Sequence, residues 1–313
     1  MIEPLQRLGE PQVESPLRTV GLRGACGWTA EVDLWGGGLR SLRRRGVPLV
    51  EEYEVTAGAR PPHCSGSVLF PWPNRVRDGL WVHRGHQLAL ELTEPKRSTA
   101  NHGLVLDDVF GVVRHGVGDV ELVTDVRHRP GYPFTLRLAT RYTLSPAGLR
   151  VEHLIENLGD DTAPVAIGAH PYVRVGDVPT SSLSVRVDAE AALRVDGRLL
   201  PVGWDVLDGR PVLPSPLGGA DVNACLRLRP AHAQGARHHV AAPDGRQVVV
   251  WTDPDLAYVH VYVCPDLPSD GGPRRALAIE PMSAPPDALR SGEGLHRLEP
   301  GATWTVAWGI SVG

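Results

Sequence analysis

Two short segments hold residues able to exchange protons near neutral pH. In Gly168-Ala169-His170-Pro171-Tyr172, proline restricts His170 to extended backbone, the small residues before it clear space, and Tyr172 falls on the same strand face. Such an imidazole is either held at a strand end beside a ligand or bonded to a carbonyl in the core. In Arg275-Ala276-Leu277-Ala278-Ile279-Glu280-Pro281, period-two alternation turns Leu277 and Ile279 to one face and Ala276, Ala278 and Glu280 to the other. A carboxylate beside two small side chains has space for a ligand; the alternative is an ion pair with Arg274 or Arg275.

Three further segments carry polar groups suited to binding. In FPWPNRVRDG, residues 70–79, Trp72-Pro73 delivers Asn74 and Arg75 in a limited set of orientations, as a binding wall or as a turn with a solvated arginine. Asn101-His102-Gly103 is turn-like, and its glycine frees the backbone beside an imidazole that faces either a cleft or solvent. Gly219-Ala220-Asp221-Val222-Asn223 reads on its own as a loop with an Asx turn at Asp221.

The elements that must position these groups are short. Glycine (35) and proline (29) are spread along all 313 residues, which leaves little room for long helices and favours many strands joined by turns. Glu31–Leu34, Leu149–Glu152 and Leu183–Val187 alternate apolar and polar residues, as half-buried strands do. Arg246–Trp251 is a more continuous apolar run that suits a strand covered on both faces. Tyr258–Val263 sets three valines on one face and Tyr258, His260 and Tyr262 on a second, wetter one. A short helix is expected where Pro285-Pro286-Asp287-Ala288-Leu289 opens. With no repeat and no composition shift, the expected architecture is all-β: one large antiparallel β-sandwich with few short helices, a single domain over 1–313.

Composition excludes several classes of function. A net charge of −4 gives no electrostatic reason to expect nucleic acid. The opening MIEPLQRLGEPQVESPLRT has acids and prolines where a signal peptide would be apolar, and no later run reaches membrane-spanning length, so a cytoplasmic protein with no membrane partner is expected. Cys26, Cys64, Cys225 and Cys264 are far apart and read as reduced, mostly buried thiols. The dinucleotide fingerprint, the phosphate-cradling P-loop and the nucleophile elbow are all missing from the sequence. His83-x-x-His86 and His238-His239 lack an obvious third ligand, so no metal is expected at either.

In order along the chain, Asn74-Arg75, His102-Gly103, Gly131-Tyr132-Pro133, His170-Pro171-Tyr172, Asp221 and Glu280-Pro281 resemble the aldose 1-epimerase (galactose mutarotase) family. The closing Glu280-Pro281-Met282-Ser283-Ala284-Pro285-Pro286-Asp287-Ala288-Leu289, with Leu298-Glu299-Pro300-Gly301, is particularly similar. The resemblance runs from about residue 30 to the end. It implies a galactose-mutarotase-like supersandwich and a cofactor-free enzyme that interconverts the α and β anomers of a free monosaccharide such as galactose or glucose, as a monomer or homodimer. It also implies roles: His170 as general acid, Glu280 as general base, and His102 as the second active-site histidine. Asn74, Arg75 and Asp221 would hold sugar hydroxyls; apart from the resemblance, sugar recognition often uses an aromatic platform, for which Trp72 or Tyr172 is the candidate. Better-known members carry an extra Gly-Arg before Asn-Arg, a longer histidine-bearing motif, a phenylalanine where this chain has Val173, and a late-strand glutamine where register with Tyr262 places His260.

Those residue types suit the reaction. Opening a pyranose hemiacetal takes a proton from the anomeric hydroxyl and gives one to the ring oxygen, so one base and one acid are needed. The aldehyde rotates about C1–C2 and recloses on its other face. The competing readings are a hexose 6-phosphate mutarotase, with Arg77, Arg84 and Lys96 as candidate phosphate contacts, and a non-catalytic carbohydrate-binding protein on the same fold.

Overall fold

The computed structural model describes residues 18–56, 58–230, 235–269 and 271–313. The acid- and proline-bearing N-terminal stretch read above falls almost wholly outside the described residues. Antiparallel sheets dominate, as the alternating patterns require. One eight-stranded sheet runs in the order Gly111–His115, Asp119–Arg129, Tyr132–Ser145, Gly148–Asn157, Thr303–Val312, Gln247–Thr252, Ala236–Ala241 and Ser184–Arg186. A second orders Pro201–Val206, Ala189–Val195, Asn223–Leu228, Tyr258–Leu267, Arg274–Met282, Gly168–Ala169 and Val68–Leu69, with Tyr172–Val173 also pairing Arg274–Met282. A four-stranded sheet, Thr19–Arg23 to Val47–Pro48, precedes both. The fold is the all-β, antiparallel one expected from the sequence, with few short helices.

Burial follows the patterns. Val248, Val249 and Val250 are all buried, the mark of a strand covered on both faces. Val259, Val261 and Val263 enter the same core as Leu277 and Ile279. Each fully buried Leu or Ile contributes about 1.5–3 kcal/mol, so this strand pair is firmly seated. The second face of Tyr258–Leu267 is less wet than expected, since Tyr258 and His260 are buried and only Tyr262 is half-buried. The helix after Pro285-Pro286 is a single turn, Ala288–Ser291. Among the described residues no helix is long and apolar enough to cross a membrane.

Two expectations are corrected. Only Cys225 and Cys264 are buried, whereas Cys26 is exposed and Cys64 intermediate, although all four are free. Trp72, considered as a sugar platform, is 2% exposed and packs its ring 6.0 Å from that of Tyr132 in the core. The stiff Trp-Pro step therefore anchors the segment rather than facing a ligand.

The segment carrying Asn74 and Arg75 is laced to the one carrying His102. Arg75–Arg77 pairs with Thr99–Asn101, and His102 N–H donates to the Asn74 carbonyl at 2.9 Å. Phe70 bridges Gly103, and Leu104 N–H donates to the Phe70 carbonyl at 2.7 Å. Gly103 has φ +81°, and a Cβ there would lie 2.1 Å from the Phe70 oxygen. Only glycine lets the two chains approach this closely. Gly103→Ala is therefore expected to cost at least ~1–3 kcal/mol of stability. Gly46→Ala supplies the reference, with φ +80° but nothing within 4 Å. Equal denaturation midpoints for the two variants would show that the Phe70–Gly103 contact is not tight.

Candidate active site

Glu280 lies on the central strand Arg274–Met282, with His260 directly across the ladder on Tyr258–Leu267. Ala278, two residues earlier, is the cross-strand partner of both Tyr262 and Tyr172. Ala276 and Ala278 pack with Tyr172, Cys264 and Leu267 in a buried cluster, and a hollow opens in the sheet surface beside Glu280. His170 reaches it from the break between Gly168–Ala169 and Tyr172–Val173, where proline interrupts the ladder. Its Nε2 stands 3.4 Å from Glu280 Oε1. Neither Arg274 nor Arg275 neutralises Glu280: Arg274 pairs with Glu51, and Arg275 donates to the Ala220 carbonyl.

The hollow is a cavity of about 260 Å³. It is lined by Asn74, Arg75, His102, His170, Tyr172, His260 and Glu280, all anticipated from the sequence, together with His63, Cys64, Glu94, Arg97, Asn101, Leu199, Asn223 and Tyr262, which were not. The volume lies near the lower end of ligand pockets, the size for a monosaccharide rather than a longer glycan. Asp221, expected to hold a sugar hydroxyl, is exposed and outside this lining. It precedes the strand Asn223–Leu228, and Asn223, paired in register with Tyr262, stands at the cavity wall instead.

Glu94 is the residue that sequence reasoning missed most consequentially. Arg75 grips it with Nε at 2.7 Å and Nη2 at 3.1 Å, while Thr99 Oγ1 donates to the same carboxylate at 2.8 Å. Arg97 adds a contact at 3.3 Å. Burial pushes the Glu94 carboxyl up, but the Arg75 and Thr99 hydrogen bonds and the Arg75 charge together hold it below its ordinary value. A two-point grip of this kind fixes the guanidinium plane.

The histidines are held neutral. His102 Nδ1 accepts a hydrogen bond from Asn74 N–H at 3.2 Å, which leaves its proton on Nε2. Burial, then the charges of His170, Arg75 and His260, keep it well below its ordinary value. His260 Nε2 donates to Asn223 Oδ1 at 2.8 Å and is pushed down to about 3, by burial first and then by Arg75 and His170. The ring of His170 lies 5.6 Å from that of His102 and 5.0 Å from that of Tyr172.

Glu280 and His170 are perturbed in opposite senses. Burial raises the carboxyl to about 8 against the pull of Arg75, and burial lowers the imidazole to about 4. Between those limits the pair carries one proton, and in the empty site that proton is on Glu280. The carboxylate and imidazolium suggested by the general-base and general-acid roles are the other arrangement of the same proton. Opposed shifts within one pair are a recurring mark of acid–base sites.

Neither histidine pair considered as a metal site assembles one. His83 and His86 face each other across a hairpin, with His83 packed on Phe134, while His238 is fully buried and His239 bonds Gln247. Neither pair belongs to a group of three metal-binding side chains among the described residues.

The aldose 1-epimerase family model matches residues 18–311. The chain belongs to the aldose 1-epimerase family. It is 28% identical over 291 residues to the protein of Escherichia coli K12 called "Uncharacterized protein YihR", covering 91% of this chain and 90% of that one. The fold is shared with a galactose mutarotase-like protein of Clostridium acetobutylicum, at TM-score 0.80 and 18% identity over 94% of this chain and 95% of that one. A GalM/aldose epimerase homologue from Caenorhabditis elegans also superposes at TM-score 0.80, with 16% identity over 94% and 98% of the two chains. As a member, this chain is a carbohydrate epimerase by family.

The electrostatics of this epimerase can be checked without a substrate. In the wild type the Glu280 carboxyl carbon should titrate by NMR with a midpoint near 8. Arg75 favours the ionised form, so Arg75→Gln should move that midpoint upward. A wild-type midpoint in the ordinary carboxylate range would show that the cavity solvates Glu280 well.

Proposed function

We propose that this protein is an aldose 1-epimerase acting on a free aldose such as galactose or glucose, opening and reclosing the pyranose ring by acid–base catalysis. The observation that carries the reading is the His170–Glu280 contact, 3.4 Å long, buried, and set in a monosaccharide-sized cavity. Glu280 as carboxylate takes the proton of the anomeric hydroxyl, and His170 as imidazolium donates to the ring oxygen. The pair's single proton must first pass from Glu280 to His170. Arg75 assists because its charge stabilises the carboxylate, and sugar hydroxyls entering the cavity supply polar partners to it. On reclosure the two protons travel back, and the pair returns to its starting state.

Binding falls to groups whose geometry is already fixed. Arg75, oriented by Glu94, lines the cavity with Asn74, as does His260 bonded to Asn223, and His102 offers its Nε2 proton. Tyr172 lines the cavity but is 1% exposed, so it backs the wall without offering an open ring face. The site works with a single monosaccharide, without nucleic acid, a membrane surface or a cofactor.

No observation favours the phosphate ester. Arg77 pairs with Asp196 and Asp287, Arg84 pairs with Asp161, and neither these nor Lys96 line the cavity. The cations that do line it, Arg75 and Arg97, are both engaged by Glu94.

Polarimetry across galactose, glucose, xylose, arabinose and glucose 6-phosphate tests the assignment. Mutarotation of a free aldose should be accelerated, and Glu280→Gln or His170→Asn should each lose about 10²–10⁴ in rate. The pH profile of kcat/KM should be a bell, falling below about 4 where both groups are protonated and above about 8 where neither is. Unchanged turnover in Glu280→Gln would leave a sugar-binding role, and a strong preference for the phosphate ester would overturn the free-sugar reading.

A further inference from the structure

A second cluster of reactive side chains lies at the rim of the cavity. The donor atoms of His63, Cys264 and Asp266 all lie within 4.8 Å of one another. Asp266 Oδ1 is 3.6 Å from Cys264 Sγ and 4.0 Å from His63 Nε2. Tetrahedral zinc, with bonds of about 2.0–2.3 Å, places neighbouring N, O and S ligands about 3.3–3.5 Å apart. Sulfur and carboxylate already stand near that spacing. The imidazole has only to swing inward, and the His63 and Asp266 side chains, 39% and 66% exposed, are free to adjust.

The backbone brings these residues together from two directions. Cys264 and Asp266 flank Pro265 where the register of Tyr258–Leu267 against Arg274–Met282 shifts, while His63 sits in the turn Pro62–Cys64 with φ +48°. The sulfur is buried at the strand surface, packed beside Tyr172 and Tyr262. Tyr172 also donates to the His63 carbonyl at 3.4 Å. That bond ties the His63 turn to the strand face beside Cys264, the kind of outer support that orients metal ligands. Because His63, Tyr172 and Tyr262 also line the sugar cavity, the cluster is at its mouth.

We propose that His63, Cys264 and Asp266 form a binding site for a zinc-class divalent cation at the mouth of the cavity. The mixed nitrogen, sulfur and oxygen donor set suits zinc or cobalt rather than calcium or magnesium. Binding breaks the Cys264 S–H bond, releases that proton to solvent, and forms the metal–thiolate bond in its place. Three protein ligands leave a fourth position for water.

Cobalt(II) alone is the probe. Titrated into the full chain, it should bind once and give the near-ultraviolet charge-transfer absorption of a thiolate–cobalt bond. Cys264→Ala should abolish the band. Cys264 is buried, so the decision rests on the exposed residues: Asp266→Asn and His63→Ala should each weaken cobalt binding about 10-fold or more. Glu280→Gln should keep the band, which separates this site from His102, His170 and Glu280, whose donor atoms also lie within 4.8 Å of one another. The proposal is overturned by no band in the wild type, by a band that persists in Cys264→Ala, by unchanged affinity in Asp266→Asn and His63→Ala, or by loss of the band in Glu280→Gln.

Discussion

The site depends on one costly placement: a carboxyl group buried on the central strand with an imidazole as its nearest titratable partner. Glu280 is 2% exposed, and Arg75, the cation that influences it, is committed to Glu94. A folded-state value near 8 against an ordinary 4.5 means that the native protein holds this proton more tightly than the unfolded chain does. The burial penalty is therefore absent below the ordinary range. It grows as pH rises from about 4.5 to about 8 and is complete above that. A neighbouring lysine would relieve the penalty, but it would also turn Glu280 into an ordinary ion-paired carboxylate and remove its proton from play.

The scaffold tolerates the placement because the reverse face of the same strand is firmly packed. Leu277 and Ile279 are fully buried among the valines of Tyr258–Leu267, so the ladder that carries Glu280 is held by core contacts the site does not touch. On the face that carries Glu280, Ala276 and Ala278 are small because Tyr172, Cys264 and Leu267 pack directly on them. Larger side chains there would collide with Tyr172 and Cys264. Stability and function are thus divided between the two faces of one strand, and period-two geometry keeps them apart.

How much was legible in the sequence follows from which interactions are local. Alternation along Arg275–Pro281 fixes which face Glu280 occupies, and proline after His170 fixes a break in the ladder, so both groups could be located from a few residues each. Arg75 was legible as stiff, but its clamp was not. Glu94 is 19 residues away in an exposed, polar stretch and becomes a partner only when Arg75–Arg77 pairs with Thr99–Asn101. Asp221 was placed by motif order alone. Strand pairing, which motif order does not contain, gives the wall position to Asn223. Trp72 failed as a platform for a related reason, since alternation cannot tell an aromatic that anchors a loop from one that faces a ligand.

The charge pattern of the cavity bears on what it can receive. Four histidines line it, and burial keeps three of them, His102, His170 and His260, below their ordinary value and uncharged near neutral pH. Glu280 is protonated in the empty state, and the Arg75 charge is matched by the Glu94 carboxylate. The lining thus presents many donors and acceptors with little net charge. An anionic ligand would have to compete with Glu94 for the guanidinium, and a cationic one would meet the donors of Arg75 and Arg97. A neutral polyol meets neither obstacle, and its hydroxyls can both donate to and accept from imidazoles. The arrangement that makes Glu280 and His170 able to share a proton thus goes with a lining rich in donors and acceptors and low in net charge.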